Sequence, residues 1–158
     1  MDKTMCNNKS TIVIGCDHAA YPLKEKIKAY LIERGVAVED VGTYSEDSMD
    51  YPDVGIKVAS LVSTGKFERG ILLCGTGLGM SMVANRFSRI RAALCTDLFA
   101  AIMSRRHNNS NILVLGGRVT GEALALEILR FWLETPFEGA RHQVRLDKFD
   151  QLEEKNDI

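Results

Sequence analysis

The chain has 158 residues, 46% of them hydrophobic and 26% charged, the profile of one globular domain rather than a disordered or multi-domain chain. Lys and Arg total 20 against 21 Asp and Glu, a net charge of −1, which gives no bulk attraction to nucleic acid. The apolar runs are a handful of residues long, far short of the roughly 20 that cross a bilayer, and the polar stretch Met1–Ser10 lacks the apolar region of a secretory signal. A cytoplasmic protein that neither spans a membrane nor binds nucleic acid is expected, with a flexible tail over 1–10 and one domain over 11–158.

Five apolar runs occur in order: Thr11–Cys16, Val36–Val41, Gly70–Cys74, Arg91–Cys95 and Asn111–Leu115. They read as short buried strands. Between the first two, Leu23, Ile27, Tyr30 and Leu31 recur at helical spacing, and Gly35 marks the stop. Val54, Val58, Leu61 and Val62 repeat that spacing, with Pro52 suited to the first turn and Gly65 to the end. Thr96-Asp97 opens a further helix toward Ser104-Arg105-Arg106-His107. Glu122–Leu133 carries Leu124, Ile128, Phe131 and Trp132 as its apolar face, and a polar helix is expected over about 139–154. Alternation of strand and helix predicts an α/β, three-layer Rossmann-like fold: a five-stranded parallel sheet in a single domain, plus a C-terminal helix. In such sheets ligands bind at the carboxyl ends of the strands.

The four cysteines, Cys6, Cys16, Cys74 and Cys95, form no C-x-x-C pair and have no zinc-finger histidines, so no structural metal is expected. Cys16, Cys74 and Cys95 each end an apolar run and read first as small buried side chains.

The residues just past each strand end are more informative. Asp17-His18 succeeds the first, though Asp17 could simply cap the helix near Pro22. Cys74-Gly75-Thr76-Gly77-Leu78-Gly79 succeeds the third. Its alternate glycines bring main-chain N–H groups close to a bound oxygen. A G-x-G-x-x-G loop or a Cys-x5-Arg phosphatase loop would need Gly or Arg where Met80 stands, and a Walker A loop would need Lys followed by Ser or Thr. That leaves a thiol leading into a pocket of donors, suited to negative charge developing on a substrate oxygen. A helix N-terminus beside it favours the reactive thiolate. Gly116-Gly117-Arg118 comes after the fifth strand, and the last helix offers His142 between Arg141 and Arg145, whose i,i+4 spacing sets both guanidinium groups on one face. That face is either a phosphate clamp or a solvated basic surface.

Taken in order, Gly15-Cys16-Asp17-His18-Ala19-Ala20, Asp50-Tyr51-Pro52-Asp53, Cys74–Gly79, Arg106-His107-Asn108, Gly116-Gly117-Arg118 and Arg141-His142-Gln143 resemble the type B ribose-5-phosphate isomerases, in the sugar-phosphate isomerase family that includes galactose-6-phosphate isomerase subunits. The resemblance implies an aldose–ketose isomerase of the pentose phosphate pathway that joins D-ribose 5-phosphate and D-ribulose 5-phosphate through a cis-enediolate, without metal or organic cofactor. It makes Cys74 the base, Thr76 its assistant, and the Gly75, Gly77, Leu78 and Gly79 backbone the enediolate hole. His107 with Asp17 matches the pair that opens the furanose ring. His18, Arg118, Arg141 and Arg145 match phosphate and substrate contacts, and Tyr51 and Asn108 match contacts to the sugar. It further implies a homodimer with composite active sites, or a tetramer of such dimers. A six-carbon aldose phosphate (allose or galactose 6-phosphate) would use the same residues. A non-catalytic sugar-phosphate sensor is the alternative of another class.

Overall fold

The computed structural model describes residues 11–156; the tail over 1–10, with Cys6, lies outside them. Five strands, β1 (Ile12–Cys16), β2 (Val38–Asp40), β3 (Arg69–Cys74), β4 (Ala92–Leu94) and β5 (Ile112–Gly116), alternate with α1 (Tyr21–Glu33), α2 (Tyr51–Ser63), α3 (Leu78–Ala84), α4 (Leu98–Arg106) and α5 (Glu122–Glu134), and α6 (Arg141–Asn156) closes the chain. The sheet is parallel throughout, in the order β2-β1-β3-β5-β4. The Rossmann-like α/β expectation is met.

The sheet's pleat sorts its side chains into two cores. Ile12, Ile14 and Cys16 of β1, Ile71 and Leu73 of β3, and Leu113 and Leu115 of β5 meet α1, α4 and α5, whereas Val13, Leu72, Cys74, Ile112 and Val114 meet α2 and α3. Strands buried on both faces lose the polar alternation of a half-exposed sheet, which is why they read as unbroken apolar runs. Each fully buried Ile or Leu, such as Ile27 and Leu31, stabilises the fold by about 1.5–3 kcal/mol relative to exposure. Two expectations shift. β2 and β4 are each trimmed to three residues with partial exposure, as befits the two edges of the sheet. The buried stripe of α5 is Ala125, Ile128, Leu129 and Trp132, with Leu124 exposed: the small Ala125, not the larger Leu124, faces the sheet.

Helix α1 buries a charge under the second strand's exit. Lys24, fully buried, donates to Asp40 Oδ1 at 2.7 Å and to the Thr43 carbonyl at 2.5 Å, and Lys28 pairs with Asp40 Oδ2 at 2.7 Å. Burial pushes the Asp40 carboxyl up, but hydrogen bonds from Lys24, Lys28 and the Gly42 N–H outweigh it and hold the group below its usual range. A folded-state value below the unfolded one means stability that is fully present above the unfolded value, about 4, and lost as pH falls through the folded value. Urea unfolding at pH 7 and pH 3 should therefore show a fall in stability that Asp40→Asn reduces. An equal fall in both proteins contradicts the assignment. Asp40→Asn should also lower stability at pH 7 by about 3–5 kcal/mol, because Lys24 is left buried without its counter-charge.

Candidate active site

Strand order reverses between β1 and β3, so their carboxyl ends open a crevice. Asp17 leaves β1 with its N–H on the Leu73 carbonyl at 3.0 Å, and its Oδ1 accepts from Ala19 N at 3.0 Å. Asp17 is thus a cap, but of the single turn His18–Ala20 rather than of a helix near Pro22. His18 Nδ1 accepts the Met49 N–H at 3.2 Å. That bond assigns the proton of the neutral ring to Nε2, leaving a donor for a ligand oxygen.

From β3, Cys74 enters the loop with its thiol buried, and Gly77 N–H donates to Sγ at 3.2 Å. Gly77 has φ of 81°, and a Cβ there would sit 2.4 Å from Leu94 Cδ1, so only glycine holds this turn. Thr76 Oγ1 accepts from Leu78 N at 3.3 Å. The N–H groups of Gly75, Thr76 and Gly79 make no protein hydrogen bond among the described residues. The Tyr51 ring lies against the loop: a Cβ on Gly79 would come within 2.5 Å of it. From the β5 side, Gly117 N and Arg118 N clamp the loop's carbonyls at Cys74 and Gly75, 2.8 and 2.9 Å away, and the Arg118 side chain runs beside Gly75. Asp17, His18, Tyr51, Cys74, Gly75, Thr76, Gly77, Leu78, Gly79 and Arg118 therefore share one edge of the sheet.

The thiols of Cys16 and Cys95 are of another kind. Burial pushes Cys16 up to about 12 and Cys95 up to about 11, so both stay protonated and serve as core.

His107, Asn108, Arg141 and Arg145 stand elsewhere. α4 starts beyond the carboxyl end of β4 and runs back along the sheet, so its cap His107 arrives where β5 begins. The start of α6 meets it there: Glu138 N donates to the Arg106 carbonyl at 3.1 Å, and the His107 and His142 rings stack with centroids 4.2 Å apart. Arg141 and Arg145 are exposed on that helix. Within one chain this second group lies a strand's length, about 17–20 Å, from Cys74.

Two polar residues escape sequence reasoning. Lys24 is invisible because its helical position reads as surface. Glu138 sits in a linker, yet its Oε2 lies 3.3 Å from His142 Nε2 and 4.0 Å from His107 Nε2. Burial, followed by the neighbouring His107 and Arg141 charges, pushes the His142 imidazole below its ordinary value. His107, Glu138 and His142 each bring a ligating atom within 4.8 Å of the others. The two rings are parallel to within 12°, so their lone pairs lie in separate planes and do not converge on one ion as they stand.

A parallel Rossmann-like sheet with a buried thiol in a glycine loop at its carboxyl edge has the arrangement of an α/β enzyme. Residues 12–149 match the Ribose/Galactose Isomerase family, and the chain belongs to it. It is 45% identical over 144 residues to ribose-5-phosphate isomerase B of Escherichia coli, covering 91% of this chain and 97% of that protein. It is 44% identical over 147 residues to a D-erythrulose-4-phosphate isomerase of Pectobacterium atrosepticum, covering 90% and 95%. The structure of Clostridium thermocellum ribose-5-phosphate isomerase B superposes with a TM-score of 0.90 at 50% identity, covering 92% of this chain and 98% of that one. No helix of the described residues is long and apolar enough to cross a membrane.

Proposed function

We propose that the chain interconverts D-ribose 5-phosphate and D-ribulose 5-phosphate, with Cys74 as the base. The observation that carries this reading is the Gly77 N–H on Cys74 Sγ beside main-chain donors with no protein partner among the described residues. A thiolate removes the proton from C2 of the open-chain aldose. The electron pair left behind moves into the C1–C2 bond, the carbonyl electrons move onto O1, and a cis-enediolate forms. The free N–H groups of Gly75, Thr76 and Gly79 suit that oxyanion; one such donor is typically worth about 10²- to 10³-fold in rate. Cys74 returns the proton to C1, the proton of the C2 hydroxyl passes to O1 with Thr76 beside it, and the ketose results. His18, through Nε2, and Arg118 hold the substrate at this edge, and Tyr51 flanks the sugar.

Ring opening needs an acid–base pair, for which Asp17 and His107 are the residues proposed. The run of α4 keeps them apart in one chain, which supports a homodimer in which His107, Asn108, Arg141 and Arg145 of one copy complete the Cys74 edge of the other. His142 and Glu138 then position His107.

The direct test mixes the purified protein with ribose 5-phosphate in D2O without added metal and follows both sugars by NMR. Ribulose 5-phosphate carrying solvent deuterium at C1 is expected. Binding without product or exchange would leave only a sensor. Erythrose, allose and galactose phosphates run in parallel rank the substrates by chain length.

A further inference from the structure

A concavity of about 620 Å3 opens at the amino end of the sheet and contains none of the residues proposed for the isomerase reaction. Arg69, Arg89, Arg91 and Arg105 line it. They arrive from the first residue of β3, the turn before β4, the residue preceding β4 and the last turn of α4. The carboxylates facing them are Glu68 and Asp150 in the same wall, with Glu153 of α6 accepting from the Arg89 main-chain N–H at 2.9 Å. None of the four arginines forms a salt bridge among the described residues.

They are fixed instead by uncharged partners. Arg69 Nη1 donates to the Leu133 carbonyl at 3.3 Å, Arg91 Nε to the Asn109 carbonyl at 2.9 Å, Arg89 to the Ser63 carbonyl, and Arg105 Nη1 to the Ser110 carbonyl at 2.5 Å and Asn109 Oδ1 at 3.0 Å. The Trp132 ring lies 5.4 Å from the Arg69 guanidinium and 5.8 Å from that of Arg105. Each guanidinium carries five N–H donors, so most of them remain unused. Arg105 is only 5% exposed, and its Nε is buried with no hydrogen-bond partner. Burial, and then the facing charges of Arg69 and Arg91, push Arg105 down to about 10. Like charges gathered in a partly dry wall repel, and an anion between them offsets that cost.

We propose that this concavity is a second anion site, taking a small diphosphate-type oxyanion between Arg69, Arg91 and Arg105. Guanidinium forks pair with phosphate oxygens in a bidentate way that carbonyls cannot match. Four arginines against Glu68, Asp150 and Glu153 leave one net positive charge for a ligand that brings negative ones. The side chains are already held by Trp132 and the carbonyls, so little ordering is needed on binding.

The test titrates the 15N-labelled full chain with inorganic pyrophosphate at constant ionic strength. Saturable shifts are expected at the amides of Gly65, Asn109 and Asn111, with a midpoint separate from any shift at Gly75–Gly79. Arg69→Gln combined with Arg91→Gln should weaken the first set by about tenfold or more, as loss of charge-assisted bonds implies, and leave turnover of ribose 5-phosphate unchanged. Arg89→Gln, at an exposed position, removes one positive charge from the wall at the cost of only the bond to the Ser63 carbonyl and should weaken the same set. No saturable shift at Gly65, Asn109 and Asn111 in the parent protein, or an unchanged midpoint in a folded variant, overturns the proposal.

Discussion

Replacing Cys74 with Ala should lower turnover of ribose 5-phosphate by at least about 10²- to 10⁴-fold, the range that one general acid–base group supplies. Binding of the sugar phosphate should survive, because His18 and Arg118 are untouched. Sγ accepts the Gly77 N–H, but Gly77 and Gly116 rather than the thiol set the loop's shape. A Cβ on Gly116 would fall 2.6 Å from the Thr76 main chain, so the strand end and the loop interlock whatever stands at 74. Calorimetric binding alongside an NMR rate measures both quantities on one sample. Turnover within about tenfold of the parent would remove Cys74 as the base.

The second large effect concerns the two ends of the sheet. Cys74→Ala and His107→Ala should each be nearly inactive alone, yet regain activity when the two variants are unfolded together and refolded at equal amounts. Random pairing makes about half of the dimers mixed, and each mixed dimer has one site with both residues intact, so about one quarter of the parent activity is expected. The prediction rests on the direction of α4: it carries His107 to the start of β5, away from the loop after β3. Recovery of none of the activity would mean that Cys74 and His107 do not act across a pair of chains.

Much of this is legible in the residues, for physical reasons that also mark where legibility ends. β1, β3 and β5 are buried on both faces, and a strand without a wet face announces itself as an apolar run. β2 is an edge strand with a wet side, so its limits blur. On α5 the periodicity favours Leu124 because large side chains dominate the pattern, whereas close approach to the sheet selects Ala125. The loop 75–79 declares itself through glycines, because the turn at Gly77 and the Tyr51 ring against Gly79 leave no room for a Cβ. The arginine concavity does not. Arg69, Arg89, Arg91 and Arg105 are dispersed along the chain, and only the return of three connections to one sheet edge gathers them. Glu138 likewise gains meaning only once α6 folds back on α4.

The alternation of side chains across the sheet has a consequence for oxidative chemistry. Cys16 and Cys95 project into the layer shared with α1, α4 and α5, and Cys74 into the opposite layer with α2 and α3. A sheet stands between them, so neither can reach Cys74 to form a disulfide, and both are held protonated. A sulfenic acid formed on Cys74 by peroxide would therefore meet no resolving thiol among the described residues, and further peroxide would carry it to the irreversible sulfinic acid. Rescue before that step falls to a thiol that arrives from outside the described fold.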